Sequence, residues 1–198
     1  MKKFVLLTAL AVGAAFADVI PNLETVVNCG VGCTTYNYSV TLNENTVLTA
    51  AADGGDYFTI YDFGGYIAGS IMAPMGWNAM AQTPGLTPSP INAVDGPLTN
   101  LTFTYVGGTD VSSASNPITG FSANSSSISF VTGAYASFAH KAPTSDVGSV
   151  GKDYGYGEVL VPAPGPGDDT DVPEPMSMML LGGGLGALGL LPRRFKKN

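Results

Sequence analysis

The sequence has few basic residues, and almost all of them lie at its two ends. Eight Lys and Arg occur among 198 residues, against 15 Asp and Glu, which gives a formal net charge of -7. Only Lys141 and Lys152 lie between Lys3 and Arg193. A chain whose interior carries so little positive charge has no basic patch to neutralise phosphates, so nucleic-acid binding is not expected.

Histidine and cysteine are also scarce, which limits the chemistry that the chain can perform. His140 is the single histidine, and Cys29 and Cys33 are the two cysteines. These are too few ligands for a structural zinc site. The segment Gly120–Asn124 departs from the Gly-x-Ser-x-Gly nucleophile motif at its last position. We therefore expect no cofactor or metal site, and we expect His140 to be an exposed strand residue.

Carboxylates offer the remaining route to catalysis. Asp56, Asp62 and Glu158 lie in or beside predicted turns and strand ends, where solvated acids are ordinary. A pair of carboxylates suited to glycoside hydrolysis is defined by the distance between the two groups in space, so the sequence does not exclude such a pair. The absence of any other catalytic motif favours a protein that is not an enzyme.

Patterns with helical spacing are missing from the middle of the chain, where the apolar residues recur with period two. Apolar and polar residues alternate in Tyr36–Leu42, Leu101–Tyr105 and Ser127–Thr132, and Tyr57–Phe63 is apolar on both faces, as in a central strand. Glycine pairs between these segments supply turns. The pattern predicts an all-β domain over residues 18–161, built as an antiparallel β-sandwich. A β-solenoid is the alternative, although no period repeats.

A proline-rich stretch interrupts the predicted strands. Ala73–Pro97 holds five of the 14 prolines, and it also holds Trp77, the single tryptophan. We expect a long loop here, and such loops are often functional. Trp77 has two interpretations: it anchors the loop to the sandwich, or it is a stacking platform for a sugar ring.

The N-terminus has the layout of a secretory signal peptide. A basic start is followed by the apolar run Phe4–Ala14 and by the small residues Ala15 and Ala17, which flank one phenylalanine. We predict a signal peptide over residues 1–17 and a mature chain that begins at Asp18.

Export determines the state of the two cysteines. Cys29 and Cys33 would enter an oxidising compartment, where a disulfide is the default. The Gly30-Val31-Gly32 segment between them is flexible enough to close a small loop. We therefore predict a Cys29–Cys33 disulfide.

The C-terminus also has an ordered layout, which begins after a Pro/Gly/Asp-rich linker over residues 162–171. Met176–Leu191 contains no charged side chain and is long enough for a short transmembrane helix of roughly 24 Å. A tetrapeptide precedes this helix and a basic cluster follows it: Val172, Pro173, Glu174 and Pro175, then Arg193, Arg194, Lys196 and Lys197. The basic cluster should stay cytoplasmic, which places the preceding chain outside.

This ending resembles the PEP-CTERM sorting signal of Gram-negative bacteria over residues 172–198. The resemblance implies recognition by a membrane-embedded exosortase, which processes the tail during export, and an association with exopolysaccharide and biofilm. Some family names label the same tail an ice-binding protein C-terminal domain. The sequence has no repeating threonine ladder, so ice binding is the less favoured interpretation. Tyr57–Gly65 and Leu101–Tyr105 also resemble central regions of other PEP-CTERM proteins, which have no assigned activity.

Together these features predict an exported protein of the cell surface or extracellular matrix. It would be anchored transiently in the inner membrane by its C-terminal helix and would have a structural or interaction role in biofilm or exopolysaccharide. A polysaccharide-binding module is the alternative, and an extracellular hydrolase is less favoured. Residues 18–172 contain 2 basic and 14 acidic residues, a charge of 2 − 14 = -12. Such a surface repels nucleic acid and anionic lipid.

Overall fold

The computed structural model describes residues 19–50, 55–93, 95–141 and 151–165. The predicted signal peptide, the sorting signal and residues 166–171 of the linker lie outside these ranges. Within the described ranges, no helix has the length and apolar character needed to cross a membrane.

The described residues form an all-β structure. A single 3₁₀ turn over Ser113–Ser115 is the one helical element among them. The strands are β1 (Val19–Gly30), β2 (Cys33–Leu42), β3 (Thr46–Leu48), β4 (Tyr57–Ile60), β5 (Trp77–Gln82), β6 (Asn100–Tyr105), β7 (Val111–Ser112), β8 (Ile118–Ser125), β9 (Phe130–Lys141) and β10 (Lys152–Pro162).

Two antiparallel sheets contain these strands. The smaller sheet has the order β1-β2-β8. The larger sheet has the order β5-β6-β4-β9-β3-β7, and β10 pairs with β9 along its whole length. Every one of these strand pairs is antiparallel, as the sequence predicts.

Two of the three alternating segments, Tyr36–Leu42 and Leu101–Tyr105, supply core residues, as predicted. In β2, Tyr36, Tyr38, Val40 and Leu42 are at most 2% exposed, because a strand directs every second side chain to the same face. The predicted central strand β4 pairs with β6 on one side and with β9 on the other. The period-two pattern thus identified both a half-buried strand and a fully buried one.

Aromatic rings join the two sheets across this core. Phe58 and Phe103 of the larger sheet stack with centroids 4.9 Å apart, and Phe121 of the smaller sheet meets both rings edge-on at 5.2 Å. Edge-to-face pairs of this kind add about 0.5–1.5 kcal/mol each beyond the area that they bury. The contacts hold the two sheets in one hydrophobic core.

The strand predicted over Ser127–Thr132 is wrong in its first half and confirmed from Phe130 onwards. β9 begins only at Phe130, and Ile128 is 80% exposed whereas Ser127 is 8% exposed. The carbonyl oxygens of Ser127 and Ser129 accept hydrogen bonds from the Tyr36 hydroxyl, at 3.2 and 2.9 Å. The backbone of Ser127 and Ser129 therefore binds a tyrosine side chain. The alternation of polar and apolar residues here does not correspond to a buried and a solvated face of a strand.

The loop predicted over Ala73–Pro97 is wrong in its first part. β5 pairs with β6 from Trp77↔Tyr105 to Gln82↔Asn100, so this part is an edge strand of the larger sheet. The rest, residues 83–93 and 95–98, contains no strand, and we call it the covering segment. It lies against the face of the larger sheet opposite the core, where Gly85 approaches Thr59 and Tyr61.

Candidate functional site

A groove lies between β10 and the covering segment. It consists of two neighbouring cavities of about 360 and 200 Å³ that share Tyr154. The larger cavity is lined by Pro90, Ile91, Asp153, Tyr154 and Tyr156. The smaller one is lined by Tyr57, Pro88, Ser89, Phe138, Lys152 and Tyr154. We call this surface the tyrosine groove.

Strand register places the aromatic rings of the tyrosine groove side by side. Tyr154 pairs with Phe138, and Phe138 pairs with Tyr57 on the next strand. Directly paired residues in antiparallel strands project from the same face. The ring centroids are accordingly 5.5 Å apart for Tyr154 and Phe138 and 6.0 Å apart for Phe138 and Tyr57. Tyr156 extends the row, because residues two apart in a strand share a face.

Exposure separates the floor of the groove from its walls. Phe138 is 7% exposed, whereas Tyr156 is 50% exposed and Tyr57 and Tyr154 are half-buried. The larger cavity falls within the roughly 300–1,000 Å³ typical of small-molecule sites, which are lined mainly by apolar and aromatic side chains with a few polar groups. The groove therefore has the size and lining of a binding site.

Hydrogen bonds fix the covering segment, which forms the opposite wall. The Tyr61 hydroxyl donates to the Leu86 carbonyl oxygen at 2.9 Å. The Asp62 carboxylate accepts from the Gly96 amide at 3.0 Å and from the Leu98 amide at 3.3 Å. Asp95 accepts from the Gly85 amide at 2.8 Å and from the Asn100 side chain at 2.8 Å. These bonds hold both ends of the segment against the larger sheet.

The charges around the groove are few. Lys152 places its ammonium nitrogen 5.5 Å from the centroid of the Phe138 ring, within the range of a cation–π contact. The carboxylate of Asp153 lies 3.5 Å from the Lys141 ammonium group. Burial raises the pKa of Tyr57 to about 12, with nearby Tyr61 and Tyr154 adding to the effect, so its hydroxyl is neutral at physiological pH.

Trp77 lies in the core and not in the groove. It is 8% exposed, and its indole meets Phe121, Tyr105 and Phe58 edge-on at 5.0, 5.4 and 5.8 Å. Those rings cover the indole, so the anchoring interpretation agrees with the structure. The sugar-stacking interpretation of Trp77 is replaced by a packing role.

His140 is buried, so the prediction of an exposed strand residue is wrong. Its Nδ1 lies 2.6 Å from Oδ1 of Asp56, and the two residues are 7% and 0% exposed. The other carboxylate oxygen of Asp56 accepts a hydrogen bond from the backbone amide of Thr49 at 2.7 Å. Burial raises the pKa of Asp56, although the Thr49 amide and His140 act in the opposite direction. The pair ties the connection between β3 and β4 to β9.

The three carboxylates singled out from the sequence serve different elements. Asp56 bonds to β9, Asp62 bonds to the covering segment, and Glu158 is exposed on β10. Asp56 and Asp62 thus each hydrogen-bond to backbone or side-chain groups of a neighbouring element. Within the described ranges, no three His, Cys, Asp or Glu side chains come together to hold a metal ion.

The two cysteines lie at the end of the β1–β2 hairpin. They form a disulfide with Cα atoms 5.1 Å apart, which is the predicted pair. The other predicted site residues lie outside the described ranges: Ala15 and Ala17 of the cleavage motif, Val172–Pro175 of the sorting motif, and Arg193, Arg194, Lys196 and Lys197.

Sequence reasoning missed the groove tyrosines, although a signal was present. Tyr154-Gly155-Tyr156-Gly157 alternates aromatic residues with glycine at period two. Gly157 leaves room for the Tyr135 ring of the core, because a Cβ at that position would lie only 2.7 Å from this ring. Tyr154 and Tyr156 alternate with the glycines and therefore project from the opposite face, into the groove.

Comparisons with protein-family models, curated proteins and solved structures find no match for this chain.

Proposed function

We propose that this protein is exported, sorted by an exosortase through its PEP-CTERM-like ending, and displayed on the cell surface or in the extracellular matrix. Its role there is interaction and not catalysis. The layout of the two chain ends supports export and sorting. The tyrosine groove is the observation that carries the interaction role, because it is an exposed surface of binding-site size. The single histidine and two of the candidate catalytic carboxylates are meanwhile held in internal hydrogen bonds.

We further infer that the exported domain is a two-sheet sandwich. The support is the set of cross-sheet contacts of Phe121 with Phe58 and Phe103. In this architecture the core lies between the sheets, and the tyrosine groove lies on the opposite face of the larger one. An extracellular partner would then reach the groove without disturbing the core.

A polysaccharide-binding module is the second candidate, and the row of aromatic rings in the groove favours it. Aromatic side chains with a polar tip combine an apolar face with a hydrogen-bonding group. Saccharide rings combine an apolar face with hydroxyl groups in the same way.

Mass spectrometry of the native protein from cell and medium fractions tests export and sorting. We expect an N-terminus at Asp18 and a chain that ends before Asn198 in the medium. Replacing Pro173, Glu174 and Pro175 together by alanine should retain the unprocessed chain in the inner membrane. The same exchange at Asp168, Asp169 and Asp171 in the linker is the control and should leave processing unchanged. An intact C-terminus at Asn198 in every fraction would contradict the proposal.

A further inference from the structure

We propose that the tyrosine groove binds a neutral saccharide chain, with Tyr154 and Tyr156 as the surfaces on which its rings stack. This inference rests on the proposed function, because it names the ligand class of the interaction surface.

The placement of the tyrosines suits a linear chain of rings. Tyr154 and Tyr156 stand on the same face of β10, about 6.5–7 Å apart along the strand. Tyr154 contributes to both cavities, so the groove is elongated and has two lobes. Successive rings of an oligosaccharide can therefore occupy successive lobes.

The groove also supplies the hydrogen bonds that a polyhydroxyl ligand needs. Tyr57, Ser89 and Lys152 line the smaller cavity, next to the Tyr154 ring. The cavity thus combines polar side chains with the aromatic rings of Phe138 and Tyr154, which matches the combination of C–H faces and hydroxyl groups in a saccharide.

A proline-rich peptide fits the same surface less well. Such peptides bind aromatic grooves through an extended polyproline helix. Here Pro88 and Pro90 of the covering segment already lie along the tyrosines as a wall. A second proline-rich strand would meet this wall.

Charge selects a neutral saccharide over an acidic one. Residues 18–172 carry 2 basic and 14 acidic side chains. Lys152 is the single cation among the described residues that line the two cavities. A polyanion would gain one favourable contact and would meet the repulsion of the whole domain.

The test is isothermal titration calorimetry of the exported protein with three probes. They are a panel of neutral oligosaccharides from glucan, xylan and mannan, a uronate oligosaccharide, and a proline-rich peptide. We expect one or more neutral oligosaccharides to bind and the other two probes not to bind. Tyr156→Ala should weaken this binding about tenfold, and Tyr156→Phe should retain most of it, because stacking needs the ring and not the hydroxyl.

Phe130→Ala is the matched control. Phe130 is 53% exposed against 50% for Tyr156, and it lies on β9 outside the groove. Its replacement should leave binding unchanged. The inference is overturned if no neutral oligosaccharide binds, if the uronate or the peptide binds instead, or if Tyr156→Ala and Phe130→Ala behave alike. None of these outcomes touches export and sorting, which mass spectrometry tests separately.

Discussion

Replacing Trp77 by alanine should destabilise the protein severely, because the indole is a central part of the core. Its ring contacts Phe58 and Tyr105 within the larger sheet and Phe121 in the smaller one. Truncating a buried tryptophan to alanine costs about 3–5 kcal/mol, from lost apolar transfer energy and from the cavity that remains.

That cost converts into a large change in melting temperature. A domain of this size shifts by about 2–4 °C per kcal/mol, so Trp77→Ala should melt roughly 6–20 °C below the wild type. Trp77→Phe keeps one ring in the cavity and should lose less. Circular dichroism is the suitable probe for all variants, since Trp77→Ala removes the single tryptophan that fluorescence would report.

The control for this experiment is Phe130→Ala, which truncates an aromatic residue that is 53% exposed. Its unfolding free energy should stay within about 0.5 kcal/mol of the wild type. If Trp77→Ala melts within about 2 °C of the wild type, the packing role of Trp77 is refuted. Loss of oligosaccharide binding by a folded Trp77→Phe protein would restore its ligand-stacking role.

Three further predictions follow from other parts of the domain. Replacing Cys29 and Cys33 by serine should lower the unfolding free energy by at most about 2 kcal/mol, because the loop that the disulfide closes is short. A thiol assay on the unreduced wild type should find no free thiol. Burial raises the pKa of Asp56, so its contribution to stability is complete below the unfolded pKa of about 3.9 and is lost as pH rises through the folded value. Asp56→Asn removes this pH dependence of stability. Urea unfolding midpoints measured from pH 3 to 7 should therefore show the wild type losing stability relative to the variant. Parallel curves for the two proteins would show that Asp56 does not titrate as stated. Gly64→Ala should lower the unfolding free energy by about 1–3 kcal/mol in thermal melts, because its Cβ would overlap the Ala163 carbonyl oxygen. Gly108→Ala is the control and should be neutral, because open space surrounds that position. Equal melting temperatures for these two variants would contradict the close approach of Gly64 to Ala163.

The sequence predicted those strands whose polar and apolar residues report two different environments. β2 follows this rule over Tyr36–Leu42, whereas β4 and β6 are covered on both faces, since Thr59 and Thr102 are 0% and 2% exposed. The first half of Ser127–Thr132 fails it, since the carbonyl oxygens of Ser127 and Ser129 bond to a tyrosine hydroxyl 91 and 93 residues away.

The environment of His140 could not be read from the chain for a similar reason. Its partner Asp56 lies 84 residues away, and the contact forms only when β9 pairs alongside β3 and β4. The groove depends on the same pairing, because Tyr57, Phe138 and Tyr154 come from three strands. Local periodicity contains no information on which strands become neighbours.

The position of the groove tyrosines has a consequence for amide hydrogen exchange. Tyr57, Phe138 and Tyr154 belong to strands that form the continuous ladder β4-β9-β10. β4 and β9 have partner strands on both sides, so the amides of Tyr57 and Phe138 exchange with solvent mainly through global unfolding, whereas a segment without a strand partner, such as residues 83–93, opens locally at lower cost. The floor of the groove is thus as rigid as the domain itself, and a ligand would lose little free energy in ordering it.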